Sequence, residues 1–292
     1  YTVGTRTLTI DSTSYVSSYR MVVTPPTITS TASAGTGTKT YSSSTTSVCT
    51  IDSSTGVVAF VSVGTCTIGA SIAADSSYIT ATASAVSFSV VYQVGDTGAG
   101  GGVVFYYSAT AFTSTGSACG INCRYLEAAP AGWIVSASPA SQANCYNAGT
   151  STVDPRCVWS GDTSNAIGST AQGTAIGTGH ANTTAIILQN STAGKAATVS
   201  RAYQGGGKTD WFLPSQLELN QLCRYAWNLT VNNAAETCTG VTGTIRTGFS
   251  LIDYWSSSEY DASLTRYHYF TSGGQANYAK SLVLYVRPVR AG

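Results

Sequence analysis

The chain has 292 residues, of which 14 are basic and 13 acidic, for a formal net charge of +1 at pH 7. One hydrophobic core seldom extends over so long a chain, so we expect two domains. Charged residues make up only 9% of the chain. Nucleic-acid binding needs a concentrated positive surface, and we therefore expect no nucleic-acid partner. An apolar content of 43%, with 18 Tyr and 5 Trp, excludes a disordered protein.

The cysteines form four couples that are close in sequence. They are Cys49 and Cys66, Cys119 and Cys123, Cys145 and Cys157, and Cys223 and Cys238. No couple has the C-x-x-C spacing, and only His180 and His268 could complete a metal site, so the pattern favours disulfides over metal or redox chemistry. Disulfides indicate an oxidising setting, outside the cell or on a cell or virion surface.

No apolar run approaches the ~18 residues that a membrane-spanning helix needs. The chain also begins without a methionine or a signal peptide. We therefore expect no direct membrane insertion, and we interpret the chain as a mature or excised fragment whose anchor, if any, lies outside it.

Residues 1–91 contain short β-branched runs separated by turn residues, without a helical period. This spacing predicts an all-β sandwich. The predicted strands are Thr7-Leu-Thr-Ile10, Arg20-Met-Val-Val23, Ser47-Val-Cys-Thr-Ile51, Val57-Val-Ala-Phe-Val61, Thr65-Cys-Thr-Ile-Gly69 and Val86-Ser-Phe-Ser-Val90. The segment from Cys49-Thr-Ile-Asp52 to Thr65-Cys-Thr-Ile68 resembles bacterial immunoglobulin-like repeats of surface proteins, which implies a spacer domain.

A glycine-rich segment, Gly95-Asp-Thr-Gly-Ala-Gly-Gly-Gly102, follows the first domain. A dinucleotide fingerprint needs its glycines between a strand and a helix, so that the amides at the helix N-terminus face the pyrophosphate. Here the glycines precede the predicted strand Val103-Val-Phe-Tyr-Tyr107. We interpret them as an inter-domain turn and expect no nucleotide cofactor.

The second domain, residues 92–292, is predicted to be α+β, with a few helices packed on an antiparallel sheet. Asn182-Thr-Thr-Ala-Ile-Ile-Leu-Gln189 predicts one helix. Ser215-Gln-Leu-Glu218 forms a capping box that predicts the start of a second helix. A final hairpin is predicted from about Thr265 to Phe270 and from Ser281 to Val289, with its turn at residues 272–274.

Five sequence blocks of this domain occur in the order of one known family. They are Gly95-Asp-Thr-Gly with Gly-Gly-Val-Val-Phe-Tyr106, Leu126-Glu-Ala-Ala-Pro130, Asp210-Trp-Phe-Leu-Pro-Ser215, Tyr254-Trp-Ser-Ser-Ser-Glu259 and Val286-Arg-Pro-Val-Arg290. Together they resemble the Lcl-type C-terminal domain family. The resemblance covers residues 92–292 and implies a C-type-lectin-like fold related to the formylglycine-generating-enzyme scaffold, with binding as its main activity.

The resemblance also implies a diversified segment, because some members are variable proteins of diversity-generating retroelements. In those proteins the stretch between the last two motifs is mutated at adenines. The stretch here mixes Tyr, Ser, Gly and Arg, as binding loops do. An ordinary surface hairpin is the alternative. The predicted ligand-binding positions are Asp261, Leu264, Arg266, His268, Tyr269, Thr271, Ser272, Ala276, Tyr278, Ala279, Ser281, Leu282 and Leu284.

We expect no enzymatic activity. The sequence has no Gly-x-Ser-x-Gly nucleophile motif for either histidine to serve, and every cysteine is expected to form a disulfide, so no free thiol is expected. The carboxylates considered for glycoside hydrolysis are Glu127, Asp210, Glu218 and Glu259. The oxygen-rich triplets of calcium-dependent lectins are absent from the sequence, so no metal is predicted, although a structural calcium held by carbonyls and Asp side chains stays open.

Two further expectations concern the framework of the second domain. Trp211, Trp227 and Trp255 are predicted to lie in the core. Arg287 and Arg290 are predicted to form internal ion pairs or backbone hydrogen bonds that fix the last strand, with anion binding as the alternative.

The sequence therefore predicts an extracellular or phage-borne binding protein, in which an immunoglobulin-like spacer presents a C-type-lectin-like head. Its partner would be a cell-surface glycan or protein. One alternative is a structural subunit of a fibre or sheath that contacts other copies of itself. A carbohydrate-active enzyme is the other alternative.

Overall fold

The computed structural model describes residues 2–133, 145, 154–231 and 236–292. The chain divides into two compact units, Tyr1–Tyr92 and Gln93–Gly292. This division lies one residue from the boundary expected from the sequence. Strands dominate both units in the described parts of the chain, and the three α-helices all lie in the second unit. The protein is therefore β-rich.

The first unit contains nine short strands in its described residues. They are β1 (Leu8–Ile10), β2 (Ser18–Arg20), β3 (Ser30–Ala32), β4 (Lys39–Ser43), β5 (Cys49–Ile51), β6 (Val58–Phe60), β7 (Gly64–Ile72), β8 (Ala81–Thr82) and β9 (Val86–Val91). The main sheet has the order β2-β9-β7-β4, and β8 also pairs with β7. Strands β1 and β3 form one separate pair, and β5 and β6 form another.

Alternation of buried and accessible side chains along β7 explains how this unit forms a core. Cys66, Ile68, Ala70 and Ile72 face inward, as the two-residue period of a strand requires. Phe88 on the neighbouring strand packs into the same cluster. Strands β3 and β4 were missed in the sequence because their runs are rich in Ser and Thr. The run expected at residues 20–23 continues from β2 into a turn.

The second unit contains eight strands and three helices among its described residues. They are β10 (Val103–Phe112), β11 (Cys123–Ala128), β12 (Arg156–Val158), α1 (Gly179–Gln189), α2 (Ala196–Ala202), α3 (Gln216–Ala226), β13 (Asp253–Glu259), β14 (Leu264–Tyr269), β15 (Gln275–Ala279), β16 (Val283–Tyr285) and β17 (Val289–Ala291). They form a three-stranded sheet, β10-β11-β17, and a five-stranded sheet, β12-β16-β13-β14-β15.

The prediction of the final hairpin is half correct. Strand β14 and the turn lie where the sequence placed them, but the returning strand is β15 and not residues 281–289. The residues after β15 separate into two strands: β16 joins β12 and β13, and β17 joins β11 in the other sheet. The sequence could not show this, because the pairing of β16 and β17 depends on partners that are distant in the chain.

Two apolar clusters form the core of the second unit. One contains Phe212, Tyr254 and Phe270, and the other contains Trp211 and Trp255. Adjacent residues of β13, Tyr254 and Trp255, therefore lie in different clusters, as expected for successive side chains of a strand buried on both faces. The predicted burial of Trp211, Trp227 and Trp255 is confirmed, since each is at most 8% exposed.

The capping box at the start of α3 is also confirmed. The Ser215 hydroxyl accepts a hydrogen bond from the backbone amide of Glu218, and a Glu218 carboxylate oxygen accepts one from the amide of Ser215 at 2.7 Å. Glu218 also accepts from the amide of Gly177, and these bonds fix the loop before α1 to the start of α3. Burial raises the pKa of Glu218 to about 7, against the effect of these amides.

All four predicted disulfides are confirmed, with the pairing expected from sequence proximity. Cys49–Cys66 connects β5 to β7 in the first unit, and the other three bonds lie in the second. In the described residues, no helix has the length and apolar character needed to cross a membrane.

Candidate functional site

The hairpin of β14 and β15 forms one side of the five-stranded sheet, and β15 is its outermost strand. Its turn closes through hydrogen bonds between Tyr269 and both Gly273 and Gly274, at 2.8 and 2.9 Å. Gly273 has a φ of +72°, and a Cβ there would lie 1.7 Å from the carbonyl oxygen of Cys238. Only glycine fits this position without displacing backbone, so the tip of the hairpin is held against the loop closed by Cys223–Cys238.

His268 lies inside the hairpin and does not reach the surface. It is 1% exposed. Its Nε2 hydrogen bonds to the carbonyl of Gly273, and its Nδ1 accepts from Gln275, which in turn accepts from Gln216 on α3. Burial lowers the pKa of His268 to about 4, so the ring is neutral at pH 7. The prediction that His268 contacts a ligand is corrected, because this chain of hydrogen bonds uses both ring nitrogens.

Leu284 is corrected in the same way. It is 5% exposed and packs into the cluster that contains Trp255. The prediction placed it on the returning strand of the hairpin, whereas it lies on β16, whose neighbours are β12 and β13.

A buried ion pair fixes the segment that follows β15. Lys280 and Glu259 are both fully buried in their side chains, and Lys280 Nζ lies 2.6 Å from Glu259 Oε1. The ammonium also donates to the carbonyls of Ala262 and Asn165, so all three of its protons have acceptors. Glu259 accepts in addition from the amide of Gly168 at 2.7 Å. The pair therefore ties the start and the end of the hairpin region to the loop at residues 165–168.

The two arginines near the C-terminus form internal ion pairs, as predicted. Arg287 is 3% exposed and donates to Asp154 at 2.7 Å and to the carbonyls of Ala129 and Gly248. Arg290 donates to Asp210 at 3.0 Å and approaches Glu127 at 3.4 Å. Their partners come from distant parts of the chain, so these bonds fix the last strands within the unit.

These contacts also account for the carboxylates that were considered for catalysis. Glu127 accepts hydrogen bonds from the amides of Gly100 and Gly102 and lies beside the guanidinium of Arg290. Asp210 forms an ion pair with the same guanidinium. Glu218 caps α3, and Glu259 binds Lys280. Each of the four carboxylates therefore has a structural role.

Eleven of the thirteen predicted positions remain accessible at least in part. The exposed ones are Thr271, Ser272, Tyr278, Ser281 and Leu282. Those with intermediate exposure are Asp261, Leu264, Arg266, Tyr269, Ala276 and Ala279. We name these eleven residues the displayed surface.

Some members of the displayed surface also shape the loops that carry them. The Asp261 carboxylate accepts from the amides of Ser263 and Leu264 and forms the turn before β14. These hydrogen bonds lower the pKa of Asp261. The Thr271 hydroxyl donates to the carbonyl of Leu251.

Three tyrosines form a cluster on one face of the hairpin. The ring of Tyr267 stacks on Tyr278 with centroids 5.1 Å apart and meets Tyr269 edge-on at 4.6 Å. Tyr267 is buried, whereas Tyr278 is 42% exposed. Because the buried ring supports the exposed one, Tyr278 presents a fixed aromatic face to solvent.

A groove of about 410 Å³ opens beside this cluster. Among its described lining residues, one belongs to the displayed surface, Tyr278. The polar residues of the lining are Arg156, Asp253 and Tyr285. The apolar ones are Leu251, Ile252, Val283 and Leu284. Sequence reasoning missed Arg156 and Asp253. Asp253 directly precedes the Tyr-Trp-Ser-Ser-Ser-Glu motif, but nothing in the sequence placed Arg156 near it, because the two meet only through β16.

One group of potential metal ligands was found among the described residues. It consists of Cys223, Cys238 and His268, all buried. The two sulfurs are bonded to each other in a disulfide and both nitrogens of His268 have hydrogen-bond partners. In this state the three side chains act as structural groups.

No family model matches the chain, and no curated protein matches it. Among solved structures, the chain is similar to a fimbrial protein from Bacteroides ovatus, with 12% sequence identity and a TM-score of 0.38. The alignment covers 99% of this chain and 69% of that chain.

Proposed function

We propose that the protein is an extracellular binding protein of the adhesin type, located on a cell or virion surface. In this proposal, residues 1–91 form an immunoglobulin-like spacer. Residues 92–292 form a C-type-lectin-like head that binds a cell-surface glycan or protein. The four disulfides support an oxidising setting.

The observation that carries the proposal is the contrast between the displayed surface and its support. Exposed Thr271, Ser272 and Tyr278 project from a hairpin whose interior is fixed by buried His268 and Lys280. A binding site of this kind loses little conformational entropy when a ligand arrives, because its backbone is already ordered. A fixed backbone with varied exposed side chains also suits the diversified segment that the family resemblance implies.

The proposal includes no catalytic activity. The carboxylates that could act as acids or bases are engaged by Lys280, by Arg290 or by backbone amides. Binding requires none of these groups to change protonation. No metal or cofactor is part of the proposal.

The test is to apply the full chain to a glycan array and, by flow cytometry, to panels of bacterial and epithelial cells. We expect binding to at least one glycan or cell type, and we expect the triple variant Ser272→Ala, Tyr278→Ala, Leu282→Ala to lose it. Leu188→Ala is the matched control, because Leu188 is 82% exposed on α1, outside the displayed surface. Absence of binding by the wild-type protein, or equal binding by the triple variant, would contradict the proposal.

A second candidate function is that of a fibre or sheath subunit. It is favoured by β15, which ends the five-stranded sheet in the described structure and has β14 as its single neighbour. An edge strand offers unpaired backbone groups to a strand of another copy. Mass measurement by light scattering across protein concentrations separates the two functions: assembly into long oligomers that the triple variant still forms would favour the fibre subunit.

A further inference from the structure

One face of the hairpin region combines tyrosine rings with a carboxylate. Asp253 of β13 lies directly opposite Tyr269 of β14. Tyr267 lies two residues from Tyr269 on the same strand, so its side chain points to the same face. Directly opposed residues of antiparallel strands have Cβ atoms about 4.5–5.5 Å apart. The strand register therefore places the Asp253 side chain next to that of Tyr269.

Strand β15 adds a third ring to this face. Ala276 lies opposite Tyr267, and Tyr278, two residues further along β15, stacks on the Tyr267 ring with centroids 5.1 Å apart. Tyr278 and Asp253 also both line the groove of about 410 Å³. The exposed ring and the carboxylate therefore border the same space. We name Asp253, Tyr267, Tyr269 and Tyr278 the tyrosine face.

The negative charge of Asp253 reaches the rings of the tyrosine face. Burial, the hydrogen bond with Tyr269 and the charge of Asp253 all raise the pKa of Tyr267. The Asp253 carboxylate has no hydrogen bond or ion pair of its own within the described residues. Burial raises its pKa, and no positively charged side chain in the described part of the chain offsets this effect. Such a carboxylate costs free energy, which a cation that donates hydrogen bonds would recover.

The tyrosine rings favour the same charge as the carboxylate does. The face of an aromatic ring carries partial negative charge and attracts a cation that lies within about 6 Å of its centroid. Tyr278 is 42% exposed and Tyr269 has intermediate exposure, so a ligand can reach both rings. The rings and the carboxylate therefore act together on a positively charged group.

We propose that the tyrosine face binds a primary ammonium group, such as the lysine side chain of a protein ligand carries. The ammonium would donate hydrogen bonds to the Asp253 carboxylate, and the methylene groups of the lysine side chain would pack on the Tyr278 ring. The inference rests on the proposed binding function and specifies the chemistry that the protein ligand presents to the head.

The same groups disfavour other classes of ligand. An anion is repelled by the charge of Asp253. A calcium ion takes about six to eight oxygen ligands, whereas the tyrosine face offers one carboxylate beside its phenol groups. A quaternary ammonium has no N–H group and cannot donate the hydrogen bonds that the carboxylate lacks. A primary ammonium satisfies both the carboxylate and the rings.

The test uses the full chain and three soluble probes: Nα-acetyl-lysine methylamide, the same compound acetylated on its side-chain amine, and choline. NMR titration measures the Kd of each probe. We expect the lysine probe to bind, the acetylated probe to show no binding because it has lost its charge, and choline to bind more weakly. Asp253→Asn should weaken binding of the lysine probe by about tenfold or more, and Tyr278→Ala should weaken it about threefold.

Each variant has a matched control outside the tyrosine face. Asp162→Asn removes a carboxylate from an exposed turn. Tyr260→Ala removes a tyrosine that is 48% exposed and whose ring already carries the guanidinium of Arg266. We expect both control variants to bind the lysine probe like the wild type.

Three outcomes would overturn the inference. The first is that the lysine probe does not bind the wild-type protein, and the second is that Asp253→Asn binds it as tightly as the wild type does. The third is that the acetylated probe or choline binds as tightly as the lysine probe, because charge and N–H donation would then not select the ligand.

Failure of this inference can be distinguished from failure of the proposed function. If cell or array binding is lost in the triple variant while the lysine probe does not bind, the binding function stands and the ammonium assignment fails. If the lysine probe binds as expected while cells and the array do not bind the protein, the ammonium site stands and the binding function fails.

Discussion

The framework and the displayed surface of the same hairpin differ in how they are held. Framework residues such as Lys280 and His268 are at most 1% exposed and have polar or charged partners: Lys280 binds Glu259 and the carbonyl of Asn165, which is distant in the chain, and His268 binds Gln275 within the hairpin. Displayed residues such as Ser272 and Leu282 are exposed. Substitutions should therefore separate into those that affect stability and those that affect binding, although both kinds of residue alternate along one short segment.

The largest effect is expected from breaking the buried pair of Lys280 and Glu259. Lys280→Met leaves the Glu259 carboxylate buried without its cation, which should lower the free energy of unfolding by about 3–5 kcal/mol. Urea unfolding followed by tryptophan fluorescence measures this, because all five tryptophans lie in the second unit.

The double variant Glu259→Gln, Lys280→Met sharpens the result. It removes both charges, so it should recover a large part of the lost stability. Lys208→Met is the control, since Lys208 has intermediate exposure and surface substitutions change stability by about 0.5 kcal/mol or less. If the single and double variants are equally unstable, the charge of Glu259 is not the cause.

The next effect is a pH dependence that arises from His268. Burial lowers its pKa from 6.5 to about 4, so the folded state disfavours protonation. Its contribution to stability is present above pH 6.5 and is lost as the pH falls towards 4, for a total of about 3 kcal/mol. Chemical unfolding at several pH values should show this loss.

His268→Gln is the variant that isolates the contribution. It should have a smaller decrease in unfolding free energy between pH 6.5 and 4 than the wild type. His180, whose pKa burial also lowers to about 4, and Glu218, whose raised pKa acts in the opposite direction, are present in both proteins and cancel in the difference. Identical pH profiles would show that His268 is not buried in solution as described.

A smaller effect is expected at the tip of the hairpin. Gly273→Ala combines a positive φ, which costs about 1–2 kcal/mol, with a contact of 1.7 Å to the carbonyl of Cys238. Gly240 has a similar φ of +74° but open space around its Cβ position, so Gly240→Ala should show the φ cost alone. Thermal unfolding should give Gly273→Ala a clearly lower melting temperature than Gly240→Ala. Equal melting temperatures would mean that the tip does not pack on the disulfide loop.

The smallest effect on stability is expected on the displayed surface. Ser272→Ala and Leu282→Ala should each change the free energy of unfolding by about 0.5 kcal/mol or less, because both side chains are exposed. Tyr278→Ala should cost up to about 1 kcal/mol through its lost stacking on Tyr267. The same denaturation experiment checks all three, and a loss of several kcal/mol at any of them would move that residue from the displayed surface to the framework.

The sequence by itself determined the local features of this protein. The capping box at Ser215 and the four disulfide couples are short-range patterns, because the residues that form each of them are close together in the sequence. The turn at Gly273 is equally local. The boundary near residue 92 follows from the change in composition around the glycine-rich segment.

Only the tertiary structure decided which side chains are displayed. His268 looked suited to binding because it lies among polar and aromatic residues, but α3 and the turn enclose it on its side of the sheet. The strand pairing of β16 also could not be predicted from the sequence. It places Arg156 in the lining of the groove that Asp253 also lines. Periodicity predicts that a strand has two faces, whereas the burial of each face depends on elements that are distant in the chain.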